Sequence, residues 1–206
     1  LGEQYRQSLG NRPVWIAAST HKGEDEAILR AHQEICKQQP EALLILVPRH
    51  PQRFTDVAKL CLEQGFAICR RSEQRLVTIQ ESVLLGDSMG EMAYFFQIAD
   101  IAFMGGSLVP VGGHNLLEPA ALAKPTLIGP HFFNFSDITR QLVDKKACQV
   151  IHDESELATH VLQLLGSSEQ RHTMGMAAFD VVAANQGALE KSLTAIDNVL
   201  VTLPHR

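Results

Sequence analysis

The chain has 206 residues, of which 45% are hydrophobic and 20% charged, a composition typical of a globular domain with enough apolar residues for a core. Acidic residues outnumber basic ones, and the formal net charge of −5 argues against a function based on long-range attraction to nucleic acid or to an anionic membrane. No apolar run reaches the roughly 18 residues that a membrane-spanning helix needs.

Short apolar runs alternate with amphipathic segments along the chain. Pro13–Ser19 is rich in apolar, β-branched and aromatic residues, which predicts a buried strand. Glu24–Gln39 has apolar residues at helical spacing and acidic residues at its start, which predicts a helix. Further strands are predicted at Ala42–Pro48, Phe66–Cys69, Ser82–Leu85, Asp100–Met104, Lys124–Pro130 and Cys148–Ile151. Further helices are predicted at Phe54–Gln64, Met89–Ala99, Leu116–Ala123 and Phe135–Lys146, and the pattern is helical from Glu154 onward with breaks near Gly166 and Gly187.

This alternation predicts the fold class. Strands that alternate with helices pair in parallel through right-handed crossovers. We therefore expect one α/β domain over residues 1–206, a Rossmann-like doubly wound parallel sheet of about six strands with helices on both faces. The chain starts without Met and with a polar stretch, Gly2–Arg12, from which we expect a piece of a longer protein.

The cysteines form no C-x-x-C pair, and three of the four lie in apolar segments. They are Cys36, Cys61, Cys69 and Cys148. We expect reduced, mostly buried thiols rather than disulfides or metal ligands.

Polar residues and glycines follow the predicted strands. Ligands of open α/β sheets bind beyond the carboxyl ends of the strands, so the residues that follow each strand are candidates for a site. Five of the nine histidines fall there, namely His21, His50, His114, His131 and His152. Together with Arg49 and the paired glycines they suit an anionic ligand, because glycine admits a close backbone and arginine forks onto a phosphate.

Three kinds of site are disfavoured by the sequence. The glycine loop VPVGGHN matches neither G-x-G-x-x-G nor G-x-x-x-x-G-K-[ST], which argues against a redox dinucleotide site and against an ATPase. No H-x-x-x-H pair or His/Cys cluster with zinc spacing occurs, so we expect no metal.

Two segments could serve either a helix start or a ligand. Ser88 and Glu91 have the spacing of a capping box, and capping is the favoured explanation, although Gly90 is unfavourable in a first helical turn. Asn115 and Glu118 have a similar spacing, but Pro119 would interrupt the first turn of a helix capped by Asn115. We therefore expect that helix to start nearer Glu118, and favour a ligand role for the pair.

Three phenylalanines follow the predicted strand Lys124–Pro130. Phe132, Phe133 and Phe135 could stack on a nucleobase. The favoured interpretation is that at least two of them belong to the core.

Taken together, these segments resemble the C-terminal half of the 3-deoxy-D-manno-octulosonic acid (Kdo) transferases. The resemblance is carried by STHKGE, VPRHPQRF, GDSMGE and MGGSLVPVGGHNLLEPAALAKPTLIGPHFFNFSDI, which follow one another in that order from about Ser19 to Ile138. No single segment would be specific, but the combination is.

The resemblance implies a GT-B glycosyltransferase of two Rossmann-like domains, whose C-terminal domain binds the donor CMP-Kdo. The enzyme would transfer Kdo to lipid IVA with inversion during lipopolysaccharide synthesis, without cofactor or metal. The N-terminal domain, absent from this chain, would carry the acceptor surface, the membrane anchor and the general base. The resemblance thus implies no catalytic residue and no activity in this chain alone, a location at the cytoplasmic face of the bacterial inner membrane for the full-length protein, and no nucleic-acid partner. It also implies that a last helix, Ala188–Leu203, crosses back to the other domain.

The same resemblance implies the site residues. The family's CMP contacts fall on Pro48, Arg49, Met89, Gly90, Glu91, Asn115, Leu116, Leu117 and Glu118. Further donor contacts are expected at Ser19, Thr20, His21, Gly112, Gly113 and His114. In this assignment Arg49 and the helix start after Gly113 face the phosphate, Glu118 holds the ribose, and the backbone of Met89–Glu91 reads the cytosine edge.

Two other functions stay open at this point. The chain could be the donor-binding domain of another GT-B enzyme, such as a UDP-sugar transferase or a nucleotide-sugar epimerase. The nucleobase that the site prefers, cytosine or uracil, would distinguish these alternatives. It could also be a non-catalytic nucleotide-binding module.

Overall fold

We analysed a computed structural model of the chain. It describes the backbone of residues 2–202 and the side chains of residues 2–185. The side-chain packing of the expected crossing helix, Ala188–Leu203, lies outside the described residues.

The centre of the fold is one parallel sheet. Its seven strands are β1 Val14–Thr20, β2 Leu43–Pro48, β3 Ile68–Arg70, β4 Val83–Leu85, β5 Ile101–Met104, β6 Thr126–Ile128 and β7 Cys148–Val150. They lie in the order β3-β4-β2-β1-β5-β6-β7, and every neighbouring pair is parallel. The fold class is thereby confirmed. Each of the seven strands overlaps one of the seven predicted segments, although the overall count was put at about six.

Helices cover both faces of the sheet. In the described part of the chain they are α1 Gly2–Ser8, α2 Asp25–Gln38, α3 Phe54–Glu63, α4 Met92–Ile98, α5 Leu117–Ala121, α6 Ser136–Asp144, α7 Glu154–Leu165 and α8 Ser168–Thr202. The expected break near Gly166 separates α7 from α8, whereas the break expected near Gly187 is wrong, because α8 runs through that position. No helix within the described residues is both long and apolar enough to cross a membrane.

The alternation of side chains along β1 divides the core into two layers. Trp15 and Ala17 point to a cluster that includes residues of α2, α3 and α7. Ile16 and Ala18 point to the opposite cluster, which includes residues of α1, α4, α5, α6 and α8. Because both faces of β1 and β2 are buried, these strands are almost continuously apolar, as expected at the centre of a parallel sheet.

The polar stretch at the start of the chain forms a helix, which the sequence pattern did not predict. Tyr5 on α1 is buried, and its hydroxyl accepts a hydrogen bond from the Val77 backbone N–H at 3.1 Å. Arg6 pairs with Asp100 at 3.1 Å, and Asp100 also accepts from the Val14 backbone N–H at 2.9 Å. These contacts, together with the packing of Tyr5 against Tyr94 of α4, rather than a periodic apolar face, therefore attach α1 to the rest of the fold.

All four cysteines are free thiols, as expected. Cys61, Cys69 and Cys148 are buried and Cys36 is half-buried. Burial raises the pKa of Cys61 and Cys148 to about 12 and that of Cys69 to about 11, so these three thiols are protonated and unreactive at neutral pH.

The order of the strands creates a crevice between β1 and β5. From β1 the chain builds β2, β4 and β3 on one side of the sheet, and β5, β6 and β7 on the other. The connections after β1 and β5 therefore diverge to opposite sides, which opens the carboxyl edge at the topological switch point.

A buried histidine, His32, is bonded through both ring nitrogens. Trp15 Nε1 donates to His32 Nδ1 at 3.2 Å, and the other ring nitrogen lies 2.9 Å from the Ser82 carbonyl oxygen. The neutral ring, with its proton on Nε2, satisfies both contacts, whereas a protonated Nδ1 would face another donor. Burial lowers the pKa of His32 to about 4.

We predict that His32 destabilises the fold at acid pH. Between about pH 6.5 and pH 4 the unfolded chain takes up a proton that the native His32 does not, and the free energy of unfolding falls by about 3 kcal/mol over that range. His32→Leu should lose this part of the pH dependence in urea unfolding, and the exposed His172→Leu should keep it. Equal pH slopes in wild type and His32→Leu would contradict the assignment.

Candidate functional site

The first feature of the carboxyl edge is a kink at the end of β1. Ser19 has a positive φ of 56°, and the pairing of β1 with β2 is irregular between Ala18 and Thr20. Gly105, which follows β5, packs so closely against this kink that an added Cβ would lie 2.7 Å from the Ser19 carbonyl oxygen. A non-glycine residue held at positive φ is strained by about 1–3 kcal/mol, and here the kink places Ser19 at a cavity.

A buried carboxylate joins the loop after β1 to the loop after β5. Glu24 Oε2 accepts from the backbone N–H groups of His21 at 2.9 Å and Gly106 at 2.6 Å. Its Oε1 accepts from Ser107 and Leu108, both at 2.9 Å. The side chain has no solvent exposure, so four backbone donors satisfy one charge and fix the two loops relative to each other.

A second buried network fixes the loop after β2. Thr20 Oγ1 donates to Asp25 at 2.7 Å, and the Asp25 carboxylate pairs with Arg53. The Thr20 carbonyl accepts from the backbone N–H of Arg49 at 2.9 Å and from Arg53 at 2.7 Å. Burial raises the pKa of Asp25, which the bonds from Thr20 and Arg53 oppose. Because Thr20 is fully buried in this network, its side chain is committed to the fold.

These loops enclose a cavity of about 310 Å³. Five of the residues expected to bind the donor line it, namely Ser19, Arg49, His114, Asn115 and Glu118. Four apolar residues complete the lining, namely Met92, Phe96, Met104 and Phe135. Of these, only Phe135 was expected from the sequence as a possible partner of a nucleobase. The cavity thus combines an apolar wall with an exposed cation and an exposed carboxylate.

Three histidines from different loops meet beside this cavity. The Nε2 atoms of His21 and His114 are 2.9 Å apart, and their rings are stacked with centroids 5.1 Å apart. His50 meets His21 edge to face, with centroids 5.2 Å apart. Of the other rim histidines, His152 pairs with Glu156 in an exposed position, and His131 lies at Gly113, where its carbonyl oxygen would be 3.3 Å from an added Cβ.

Burial sets the charge of the stacked pair. It lowers the pKa of His114 to about 4, with His21, Arg49 and His50 acting in the same direction. Burial also lowers the pKa of His21, which the nearby Glu24 opposes. The pair is therefore neutral at pH 7, and Arg49 is the cation of the cavity lining.

The glycine loop requires glycine at two adjacent positions. Gly112 and Gly113 have φ values of 107° and 74°, a region that side chains disfavour. Gly113 N–H donates to the Gly106 carbonyl at 2.8 Å, and a Cβ on Gly112 would lie 2.3 Å from the side chain of Asn134. Both glycines are buried, so they shape the loop that presents His114.

The helix after the glycine loop starts at Leu117, close to the Glu118 that was expected. Asn115 Oδ1 nevertheless accepts from the Leu117 N–H at 3.0 Å, so Asn115 satisfies a donor of the first turn while it lines the cavity. Pro119 lies in that first turn, where a missing N–H is tolerated. The helix α5 has five residues, and its first N–H is bonded to Asn115. Glu118 is exposed at the cavity, and the orientation of the helix start toward the phosphate stays a prediction.

The segment before α4 does not form the capping box that the sequence favoured. Glu91 itself precedes the helix, without a side-chain cap. Ser88 donates to the Glu91 carboxylate, which Arg71 binds through two nitrogens at 2.7 and 3.1 Å. The bonds from Arg71 lower the pKa of Glu91, against the effect of burial. Gly90 has a φ of 76° and open space around its Cα.

This segment borders a second cavity, of about 340 Å³. Its lining residues are Arg71, Ser72, Gln74, Ser88 and Glu91. The neighbouring residue Met92 lines the first cavity, so consecutive residues at the start of α4 border the two cavities. The expected contacts therefore divide into two groups rather than converging in one pocket.

The remaining residues expected to contact the donor differ in which of their atoms are accessible. Pro48 and Leu116 are buried, which leaves their backbone as the accessible part. Met89 and Leu117 are exposed apolar side chains. Of the three phenylalanines, only Phe132 packs against the core, whereas Phe133 is exposed and Phe135 lines the first cavity. The interpretation that at least two of them are core residues is thus wrong.

Larger cavities exist away from the strand ends. One of about 570 Å³ lies between α6 and α8, and one of about 550 Å³ lies between α7 and α8. Neither contains a residue from the carboxyl ends of β1, β2 or β5, so chemistry rather than size identifies the candidate site. Among the described residues, no group of three or more His, Cys, Asp or Glu side chains is arranged to hold a metal ion.

The chain is similar to proteins of known type along most of its length. It is 46% identical over 184 residues to a 3-deoxy-D-manno-octulosonic acid transferase of Haemophilus influenzae, a match that covers 89% of this chain and 43% of that protein. The chain therefore spans less than half the length of this curated relative. No protein-family model matches the chain.

Two solved structures place the fold among known ones. The C-terminal CMP-Kdo binding domain of WaaA from Acinetobacter baumannii has 35% identity and a TM-score of 0.84, and the match covers 88% of this chain and 95% of that one. A glycosyltransferase from Rickettsia africae has a TM-score of 0.67 at 14% identity, over 98% of this chain and 53% of that one. The second likeness shows the fold alone.

We predict that Glu24 is essential for the geometry of the carboxyl edge. Glu24→Gln replaces one acceptor oxygen by an NH₂ group that faces backbone donors, and should lower the free energy of unfolding by about 2–4 kcal/mol. Chemical denaturation measures this loss. The matched control Glu26→Gln, on the exposed side of α2, should change stability little, and equal stabilities for the two variants would contradict the role of Glu24.

Proposed function

The chain belongs to the 3-deoxy-D-manno-octulosonic acid transferase family, and we propose that its cavity beyond β1, β2 and β5 binds the donor CMP-Kdo. The observation that supports this proposal most strongly is the common lining of one cavity by Ser19, Arg49, His114, Asn115 and Glu118. All five are residues that the resemblance to the family implies as donor contacts.

Two polar groups of the cavity and one nearby backbone segment suit parts of a cytidine monophosphate ester. Arg49 is an exposed guanidinium at the strand ends, where it can fork onto phosphate oxygens. Glu118 presents a carboxylate that can accept hydrogen bonds from ribose hydroxyls. Gly90, with its open surroundings, leaves the backbone of Met89–Glu91 accessible for the edge of the cytosine.

The two-cavity arrangement supports an extended ligand. The first cavity holds the groups suited to phosphate and ribose, and the second begins at Glu91. A nucleotide that lies across the start of α4 would place its base toward the second cavity. In this pose Met92 and Phe96 form an apolar wall between the ribose and the core.

The activity of the whole protein forms part of the proposal. We propose that the full-length protein transfers Kdo to lipid IVA with inversion at the cytoplasmic face of the inner membrane, without a metal or cofactor. The general base, the acceptor surface and the membrane contact would come from a further domain of the same protein. Since positioning and proton abstraction both contribute to transfer, donor binding is the part assigned to this chain.

We predict that Arg49 dominates the affinity for the nucleotide. A charge-assisted hydrogen bond contributes about 1.5–3 kcal/mol, so Arg49→Ala should weaken CMP binding by about tenfold or more. The exposed arginine of α6 provides the control, because Arg140→Ala should leave the affinity unchanged. NMR titration measures both, and equal affinities for the two variants would contradict the phosphate assignment.

Base choice is predicted to separate this site from those of UDP-sugar enzymes. CMP should shift the NMR signals of Gly90 and Glu118 at millimolar concentration, with no divalent cation required, and UDP should compete poorly. Tight binding of UDP in preference to CMP would instead favour the UDP-sugar alternative.

The chain alone is predicted to bind the donor nucleotide without transferring the sugar. Incubation of the 206 residues with CMP-Kdo and lipid IVA should give no Kdo-modified lipid by mass spectrometry. Measurable transfer would show that the general base lies within these residues.

A further inference from the structure

The stacked histidines have a geometry that the binding of a nucleotide does not by itself require. His21 follows β1 and His114 follows the glycine loop, yet their Nε2 atoms are within hydrogen-bond distance at 2.9 Å. One Nε2 must donate and the other accept, so the pair shares one proton in that contact. The Nδ1 atoms of the two rings are then the groups left to interact with a ligand.

The loops that carry the pair are held rigidly. Glu24 binds the backbone N–H of His21 and that of Gly106. Gly106 in turn accepts from Gly113, next to His114. An added Cβ on Gly106 would lie 3.2 Å from both imidazole rings. The two rings therefore meet because the backbone beneath them is fixed, not because of a flexible surface encounter.

The charges around the pair favour an anion. His50 and Arg49 come from the loop after β2, and Arg53 follows in the next turn. The acidic groups on this side are Glu24 and Asp25, which are occupied by backbone donors and by Arg53 respectively, and Glu118 on α5. The main-chain carbonyl of His131 lies near Gly113 on the remaining side. Arg49 and His50 thus act on both rings, whereas Glu24 acts on His21 alone and has both oxygens bonded to backbone N–H groups.

We propose that His21 and His114 form a proton-coupled anion subsite, at which the pair takes up one proton from solvent when an anionic group of the donor enters the cavity. The protonated pair keeps its Nε2–Nε2 hydrogen bond and gains an N–H that donates to the anion. The inference rests on the proposed donor function. The anion is either the phosphate or the sugar carboxylate, which share the required chemistry.

The unliganded protein is poised for such an uptake. Burial lowers the pKa of both rings, that of His114 to about 4, so the pair is neutral at pH 7. An anion at hydrogen-bond distance favours the charged form and raises the pKa of the pair in the complex. Between these two pKa values binding consumes a proton, and affinity falls as pH rises, by up to about tenfold per pH unit.

The test is a count of protons in calorimetric titrations. CMP is titrated at pH 6.5 in two buffers of different ionisation enthalpy, with the chain and with the His114→Gln and His21→Gln variants. If the phosphate is the partner, the chain should take up at least about half a proton more per CMP than either variant does, and its affinity should fall at least about fivefold from pH 6.5 to pH 8.5. Both variants should lose the uptake and the pH dependence, whereas the exposed His172→Gln should keep them.

Two further arms identify the anion and guard against misfolded variants. If the phosphate is the partner, inorganic phosphate alone also drives proton uptake. If the carboxylate is the partner, the uptake appears only when free Kdo is added to the CMP complex. In the unmodified chain, the ring carbon signals of His21 and His114 should move to imidazolium values on binding, independently of any variant.

Failure of this inference is distinguishable from failure of the proposed function. CMP binding without proton uptake in any arm, and with neutral histidine signals, would overturn the subsite and leave donor binding intact. Absence of binding by CMP, by phosphate and by Kdo would overturn both.

Discussion

The Glu24 carboxylate is the contact on which the carboxyl edge depends. Parallel strands end in loops whose backbone N–H groups need partners, and here four of them converge on one buried side chain. An unpaired buried carboxylate would be costly, but this one is satisfied on both oxygens, so its charge stabilises the loops after β1 and β5 together. The close approach of Gly105 to Ser19, the kink of β1 and the contact between His21 and His114 all require that these loops keep this separation.

The site built on this edge divides its polar groups between structure and ligand. Thr20, Asp25 and Arg53 are committed to one another below the surface. Arg49 and Glu118 remain at the cavity. The stacked histidines lie between these two groups, neutral through burial and close to Arg49. Such a division explains how a chain with a net charge of −5 can present a locally anion-attracting pocket, since, apart from Glu118 in its lining, the acidic groups nearest to it are occupied by backbone donors or by arginine.

Much of the fold could be predicted from the sequence, because buried parallel strands read as continuous apolar runs, and all seven strands overlap segments identified in that way. The helix α1 could not be predicted from the sequence, because contacts of Tyr5 and Arg6, rather than a periodic apolar face, attach it to the fold. For the site, glycines and strand ends indicated the edge, but spacing could not distinguish a capping box from the ion pair that Glu91 makes with Arg71, 20 residues away. The role of Glu24 was hidden for the same reason: its partners Gly106–Leu108 are more than 80 residues distant.

The measurement that most directly tests the assignment of the donor site is a crystal structure of this chain with CMP bound. The phosphate is predicted to lie between Arg49 and His114, and the ribose is predicted to lie within hydrogen-bond distance of Glu118. The cytosine is predicted to lie beside Met89–Glu91, and the backbone of that segment should be unchanged. CMP bound instead in the groove between α6 and α8, or bound with its phosphate away from the ends of β1 and β2, would contradict it.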